Sequence, residues 1–124
     1  MEIKFKKYSL RSDHGGWLGD VVITSDGMFS AVTDWGHYAF QWRSFGGSDF
    51  RDFLCGLNEQ YFSRKMYLSN ADFFSGSKAE EAANRFSSKI LPALQVALGA
   101  DIELDKNWEP PADSHNKDQT IFCP

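Results

Sequence analysis

Cysteine, basic charge and long hydrophobic runs are all scarce in this sequence. Its 124 residues include two cysteines, Cys55 and Cys123, with no metal-ligand spacing between them, so a reducing, cytoplasmic setting is predicted. No apolar run approaches the ~18 residues of a membrane span, so no membrane partner is expected. The first ten residues, MEIKFKKYSL, lack the continuous apolar stretch of a signal peptide.

Acidic charge is concentrated near the C-terminus. Residues 1–100 hold eleven basic and eleven acidic side chains, whereas residues 101–124 hold six acids against Lys106 and Lys117 and account for the net charge of −4. A nucleic-acid-binding protein would need a basic patch, so nucleic acid is not expected as a partner. The pattern predicts a single α+β domain over residues 1–104, followed by an acidic, proline-containing tail over residues 105–124.

Aromatic residues are abundant and alternate with polar ones through the first part of the chain. They make up 15% of the sequence, with eleven Phe, so the core is expected to be built on rings. Period-2 alternation interrupted by an Asp-Gly turn predicts a four-stranded antiparallel β-meander over residues 2–43. In its first strand, Ile3 and Phe5 share one face, and a phase slip at Lys7 predicts a bulge before Tyr8 and Leu10 take over.

Helical periodicity begins after two glycines at 46–47. The pattern predicts a helical region near 48–66, capped by Ser48 and broken at Gly56, and a longer helix over 78–98 that is kinked at Pro92 and closed by Gly99. These helices should cover one face of the meander. Tyr38, Phe40 and Trp42 form the apolar face available to them.

The segment TDWGHYAFQW, residues 33–42, is the densest aromatic stretch and holds candidate binding residues. Alternation directs Tyr38, Phe40 and Trp42 inward and His37 outward, whereas Trp35 precedes a glycine turn and is expected to be exposed. Trp and Arg often anchor protein interfaces. We therefore predict a partner-binding surface built from Trp17, Trp35, His37 and Arg43. Because Trp35 is expected to be exposed, Trp35→Ala should have little effect on stability.

Catalytic and cofactor motifs are not found. No nucleophile elbow and no zinc-binding helix motif occur, so the protein is not expected to be an enzyme or to bind a cofactor. One alternative is a metal-dependent or other enzyme that uses His14, His37 and the nearby Asp13 and Asp34. A second alternative is a single-stranded nucleic-acid-binding protein whose sheet face carries Lys4, Lys6, Gln41 and Arg43.

The sequence resembles a group of small phage- and prophage-encoded proteins in two runs, GDVVITSDGMFSAVTDWGHYAFQWRSFG and DFRDFLCGLNEQYFSRKM. The shared patterns are W-G-x-Y-A-x-x-W, then D-F-x-x-F-L and Y-F-x-x-K-M, and they cover roughly residues 15–66. The resemblance implies a phage protein, and small acidic phage proteins often inhibit host defence machinery, as the anti-CRISPR proteins do. The predicted function is a non-enzymatic protein that binds and inhibits a host protein complex. Neither the partner's identity nor the oligomeric state is predicted.

Overall fold

A four-stranded sheet is followed along the chain by three helices. The computed structural model describes residues 3–46, 49–69, 76–106 and Trp108. Its elements are β1 (Phe5–Arg11), β2 (Trp17–Thr24), β3 (Met28–Thr33), β4 (Gly36–Gln41), α1 (Phe50–Cys55), α2 (Glu59–Ser69) and α3 (Gly76–Leu104). The predicted α+β class, an antiparallel meander packed on one face by C-terminal helices, is confirmed.

The sheet has the strand order β1-β2-β3-β4, and every neighbouring pair is antiparallel. The turn between β2 and β3 depends on Gly27, whose φ of 103° lies in the left-handed region. A Cβ at this position would also lie 2.2 Å from the carbonyl oxygen of Trp42. The Asp-Gly turn predicted from the sequence therefore needs its glycine for both conformation and space.

Aromatic rings join the sheet to the helices. Phe86 of α3 is fully buried, and its ring centroid lies 4.2 Å from that of Tyr38, 6.5 Å from that of Phe29 and 6.1 Å from that of Phe62 in α2. Trp42 is also buried and contacts the rings of α1. The helices thus cover the predicted face of the sheet, and Phe86 stands at the centre of the contact.

The predicted facing of β1 is wrong at its start. Phe5 is 71% exposed, and Lys6, Tyr8 and Leu10 are the residues that face the helices, with no slip at Lys7. The irregularity in register lies later, between Leu10 and Arg11. Inward orientation is possible for Lys6 because its ammonium group, like the Tyr8 hydroxyl, bonds to a carboxylate of α3.

The predicted helix break at Gly56 is confirmed, but the ends of the helices differ from prediction, and α3 begins at Gly76. Asp49 caps α1, accepting a hydrogen bond from the Arg51 N–H, whereas Ser48 lies outside the described residues. The predicted end of the last helix at Gly99 is wrong, because α3 continues to Leu104. A glycine inside a helix costs only ~1 kcal/mol, and the contacts of Asp101 in the added turn offset that cost.

The segment after α3 reaches the core through Trp108, which is 2% exposed. Ile121 and Phe122, also considered as docking residues, lie outside the described part of the chain. Among the helices described, none is long and apolar enough to cross a membrane.

Candidate protein-binding site

One side of the sheet faces the helices, and within the described residues no helix covers the other side, here called the open face. Several of its apolar side chains are exposed: Phe5 by 71%, Val32 by 48%, Met28 by 46% and Trp17 by 37%. Exposed apolar residues grouped on one surface often mark an interaction site. From the strand pairings, the open face comprises Phe5, Lys7, Ser9, Arg11, Trp17, Asp20, Val22, Thr24, Met28, Ser30, Val32, His37, Ala39 and Gln41.

Strand register sets the open face out in rows across the sheet. Ser9, Asp20, Val32 and His37 form one row. The next row holds Lys7, Val22, Ser30 and Ala39. Side chains directly opposite each other on neighbouring strands have Cβ atoms ~4.5–5.5 Å apart, so each row presents a continuous surface.

Trp17 reaches the open face because β1 and β2 pair irregularly. Leu10 pairs with Gly19 but Arg11 pairs with Trp17, so Leu18 is an extra residue in β2 that turns towards the core. The Trp17 indole N–H donates to Asp20 Oδ1 at 3.1 Å. This bulge therefore moves a large ring from the helix side of the sheet to its uncovered side.

Asp20 is the acidic group at the centre of this arrangement. Hydrogen bonds from Trp17 and Ser9 lower the pKa of the Asp20 carboxyl, and Lys7 acts in the same direction with its Nζ 3.8 Å from Oδ2. Asp20 is therefore a carboxylate at neutral pH. The open face combines several exposed apolar side chains with this ion pair, which joins β1 and β2.

The structure brings two of the four predicted binding residues onto the open face. His37 lies in the same row as Asp20, the acceptor of the Trp17 hydrogen bond. Trp35 does not join them, because its ring is half-buried and packs against the core, and its backbone N–H bonds to Thr33 Oγ1 at 3.0 Å. Arg43 is exposed, two residues beyond the end of β4.

The sequence interpretation missed Phe5, Met28 and Val32. Met28 and Val32 alternate with buried Phe29 and Ala31, so the period-2 pattern itself could have placed them on the outer side. Phe5 gives no such signal, because its alternation with Lys4 and Lys6 does not distinguish an outer apolar residue from a core residue.

Neither alternative site is assembled by the described residues. His14 is exposed in the turn between β1 and β2, and no group of three or more His, Cys, Asp or Glu suited to a metal ion occurs in the described ranges. The sheet face suggested for nucleic acid is divided, because Lys6 points to α3 and Gln41 lies on the open face.

A cluster of buried charges centred on Arg51 lies on the helix side of the sheet. Arg51 is 0% exposed. Its Nε and Nη2 donate to Asp49 at 3.1 and 2.8 Å, and Nη1 donates to the carboxylate and carbonyl oxygens of Asp101, each at 3.4 Å. Nη2 also donates to the Asp105 carbonyl at 2.5 Å. All five guanidinium N–H groups thus have acceptors, which is the condition for burying this charge at tolerable cost.

Asp101 joins this cluster to β1. Its carboxylate accepts hydrogen bonds from the Tyr8 hydroxyl at 2.5 Å and from Lys6 Nζ at 3.2 Å. Burial opposes ionisation of Asp101, but Tyr8, Lys6 and Arg51 together lower its pKa. Burial, followed by the bond to Asp101, raises the pKa of Tyr8. Every polar group here is satisfied within the fold, so the cluster is a structural anchor of α1, α3 and β1.

Comparison with known proteins gives one result. The family model Phage_phiTE_072, described as a phage family, matches residues 1–90. No curated protein and no solved structure matches the chain.

Proposed function

The chain belongs to this phage-encoded protein family, and from that premise we propose that it is a non-enzymatic protein that binds and inhibits a host protein complex. The observation that supports binding is the open face, where Phe5, Trp17, Met28 and Val32 are exposed and Val32 lies beside His37. Binding energy in protein interfaces is concentrated in a few anchors, among which Trp is enriched.

The open face could form the central part of an interface, about half of the area that a standard interface covers on one partner. Four strands spaced ~4.8 Å apart and about seven residues long give a patch of roughly 19 by 23 Å. A standard interface covers about 800 Å² on each partner, so a partner would also contact the rim of the sheet. Arg43, exposed just past β4, lies where such a rim contact would form.

The specific form of the proposal is a counter-defence inhibitor of the anti-CRISPR type. It is supported by the phage family and by the resemblance of the segment over residues 15–66 to small phage proteins. The host partner is then the protein complex that recognises or cleaves phage DNA, bound through its protein surface.

A plating assay tests this function directly. The protein is expressed in host cells whose CRISPR system targets a test phage, and we expect plaque formation to be restored. Val32→Asp replaces an exposed apolar side chain of the open face by a second carboxylate beside Asp20 and should abolish the effect. Val96→Asp, at a 76% exposed position of α3, is the matched control and should keep it.

Two outcomes would count against the proposal. Plaque numbers that stay low with the unmodified protein in each defence system tried would contradict the counter-defence role. Equal plaque numbers with Val32→Asp and the unmodified protein would show that the open face is not the binding site. Both variants should first be shown to fold, by circular dichroism and thermal melting.

A further inference from the structure

The outer edge of β4 has backbone groups directed away from the sheet. The Trp42 N–H donates to the Gly27 carbonyl at 2.8 Å, which shows that Trp42 directs its backbone groups towards β3. In an antiparallel ladder these directions alternate, so Phe40 shares the orientation of Trp42. Ala39 and Gln41 therefore direct their N–H and C=O groups outward, along the edge.

The two edge strands differ in how they are protected against pairing with another chain. β1, with the sequence FKKYSLR, carries Lys6, Lys7 and Arg11. β4, with the sequence GHYAFQ, contains no Lys, Arg, Asp, Glu or Pro. Natural sheets commonly use charge, proline or bulges to block strand addition at an edge. By this criterion β4 is the edge that can accept a further strand.

Helix α2 forms a shelf beside this edge. The Trp42 indole donates to the Tyr61 hydroxyl at 3.1 Å, and Lys65 Nζ lies 5.4 Å from the Phe40 ring centroid. Tyr61, Lys65 and Leu68 fall at positions i, i+4 and i+7 and so share one side of the helix. Tyr61 is 38% exposed and Leu68 is 54% exposed. Apolar surface thus continues from half-buried Phe40 onto α2.

We propose that the β4–α2 groove, formed by the outer edge of β4 with Phe40, Tyr61, Lys65 and Leu68, binds an extended peptide segment of another protein. The segment adds to β4 as a fifth strand, with backbone hydrogen bonds to Ala39 and Gln41. Its alternate side chains point down to the α2 shelf. Strand addition beside a helix is an established mode of peptide recognition, in which backbone bonds give affinity and side-chain pockets give specificity.

Charge defines the peptide further. Within the described residues, Lys65 contacts the rings of Phe40 and Tyr61 and forms no ion pair. An acidic side chain in the bound strand would complement this ammonium group, next to apolar side chains that cover Phe40 and Leu68. A second copy of β4 fits less well, because two-fold pairing centred on Ala39 would bring two Lys65 groups to the same side of the joined sheet.

The groove adjoins the open face, because Ala39 and Gln41 present their side chains there and their backbone groups along the edge, but its test does not depend on the proposed function. The probe is a displayed library of random linear dodecapeptides, selected against the folded protein and followed by synthesis of the enriched peptide. We expect the enriched peptides to have an apolar residue at every second position and to contain an acidic residue. On binding, the amide hydrogens of Ala39 and Gln41 should become protected from exchange with solvent.

Two variants separate the groove from other surfaces. Ala39→Pro removes an outward N–H and leaves the bonds to β3 in place, and Lys65→Glu reverses the charge of the shelf without touching the strand. Each should weaken peptide binding ~10-fold or more, about the effect of one or two lost hydrogen bonds. Val96→Lys, at an exposed position of α3, should bind the peptide as tightly as the unmodified protein does.

The groove would be ruled out if selection against the protein enriched no peptide over selection against beads without protein. It would also be ruled out if the enriched peptide bound Ala39→Pro and Lys65→Glu with unchanged affinity. If Ala39→Pro fails to fold, the affinity of Lys65→Glu for the enriched peptide decides whether the groove is the binding site. A dimer in sedimentation experiments that is disrupted by Ala39→Pro would also overturn the proposal, because the second copy would then be the occupant.

Discussion

The indole ring of Trp108 lies over the guanidinium of Arg51, with Arg51 Cζ 5.0 Å from the ring centroid. Trp108 is 2% exposed and Arg51 is 0% exposed, so the ring is part of the packing that buries this charge. The family match ends at residue 90, but the packing continues through the second half of α3 to this ring.

Trp108→Ala should strongly destabilise the fold. The substitution removes a fully packed ring and admits water to Arg51, and we expect the free energy of unfolding to fall by ~3–5 kcal/mol. Urea titration followed by circular dichroism measures the loss. Trp17→Ala, a matched change at a 37% exposed ring, should cost less than about 1 kcal/mol. Equal losses in the two variants would contradict the role given to Trp108.

Asp101→Asn should change how stability depends on pH. The folded-state pKa of Asp101 is lowered, so its contribution is present above the ordinary Asp value of about 3.9 and is lost as the pH falls below it. At pH 7 the variant should be less stable by ~1–3 kcal/mol, because Arg51 and Lys6 lose a charged acceptor. Denaturant titrations from pH 7 to pH 2 should show that the difference in free energy of unfolding between Asp101→Asn and the unmodified protein becomes smaller below pH 4.

The control for this pH experiment is Glu103→Gln, at an exposed position of the same helical turn. Its stability curve should run parallel to that of the unmodified protein. If the difference in free energy of unfolding between Asp101→Asn and the unmodified protein stays constant down to pH 2, the charge of Asp101 is not what stabilises the cluster.

Phe86→Ala should remove the central contact between α3 and the sheet. Phe86 is fully buried against the rings of Phe29, Tyr38 and Phe62, and we expect a loss of ~3–5 kcal/mol in the free energy of unfolding. Val96→Ala, on the exposed side of the same helix, should change it by no more than ~0.5 kcal/mol. An unchanged melting temperature for Phe86→Ala would refute this assignment of the buried face.

Trp35→Ala should affect stability, in contrast to the expectation from sequence. Its ring is half-buried against the core, so we expect a loss of about 1–2 kcal/mol, less than the ~3–5 kcal/mol expected for buried Trp42→Ala. Thermal melting of both variants, together with the plating assay, separates folding from binding. A fully stable Trp35→Ala protein that no longer restores plaques would return Trp35 to the binding site.

Local patterns in the sequence were sufficient to predict the strands, the helix break at Gly56 and the inward orientation of Tyr38, Phe40 and Trp42. Each of these depends on residues a few positions apart, where alternation and helix periodicity act directly. The candidate site was found in part, because Trp17 was included but the bulge that brings it to the open face was placed elsewhere.

Hydrogen bonds and ion pairs between residues far apart in the chain could not be predicted from local sequence patterns. Arg51 was interpreted only as part of a helix, because its acceptors on Asp101 and Asp105 lie 50 and 54 positions later. The facing of β1 failed for the same reason: Lys6 and Tyr8 turn inward to meet Asp101, across separations of 95 and 93 residues. Spacing within the sequence carries no sign of such partners.

The separation between Arg51 and its acceptors also bears on synthesis of the protein. The meander pairs neighbouring strands and can form early, since its contacts are local. Arg51 must wait until Asp101 and Asp105 have been translated, which at ~5–20 residues per second takes roughly 3–10 seconds after Arg51 is added. During that interval the inner face of the nascent sheet lacks its long helix, so chaperone binding should be strongest there and should end once Trp108 has left the ribosome.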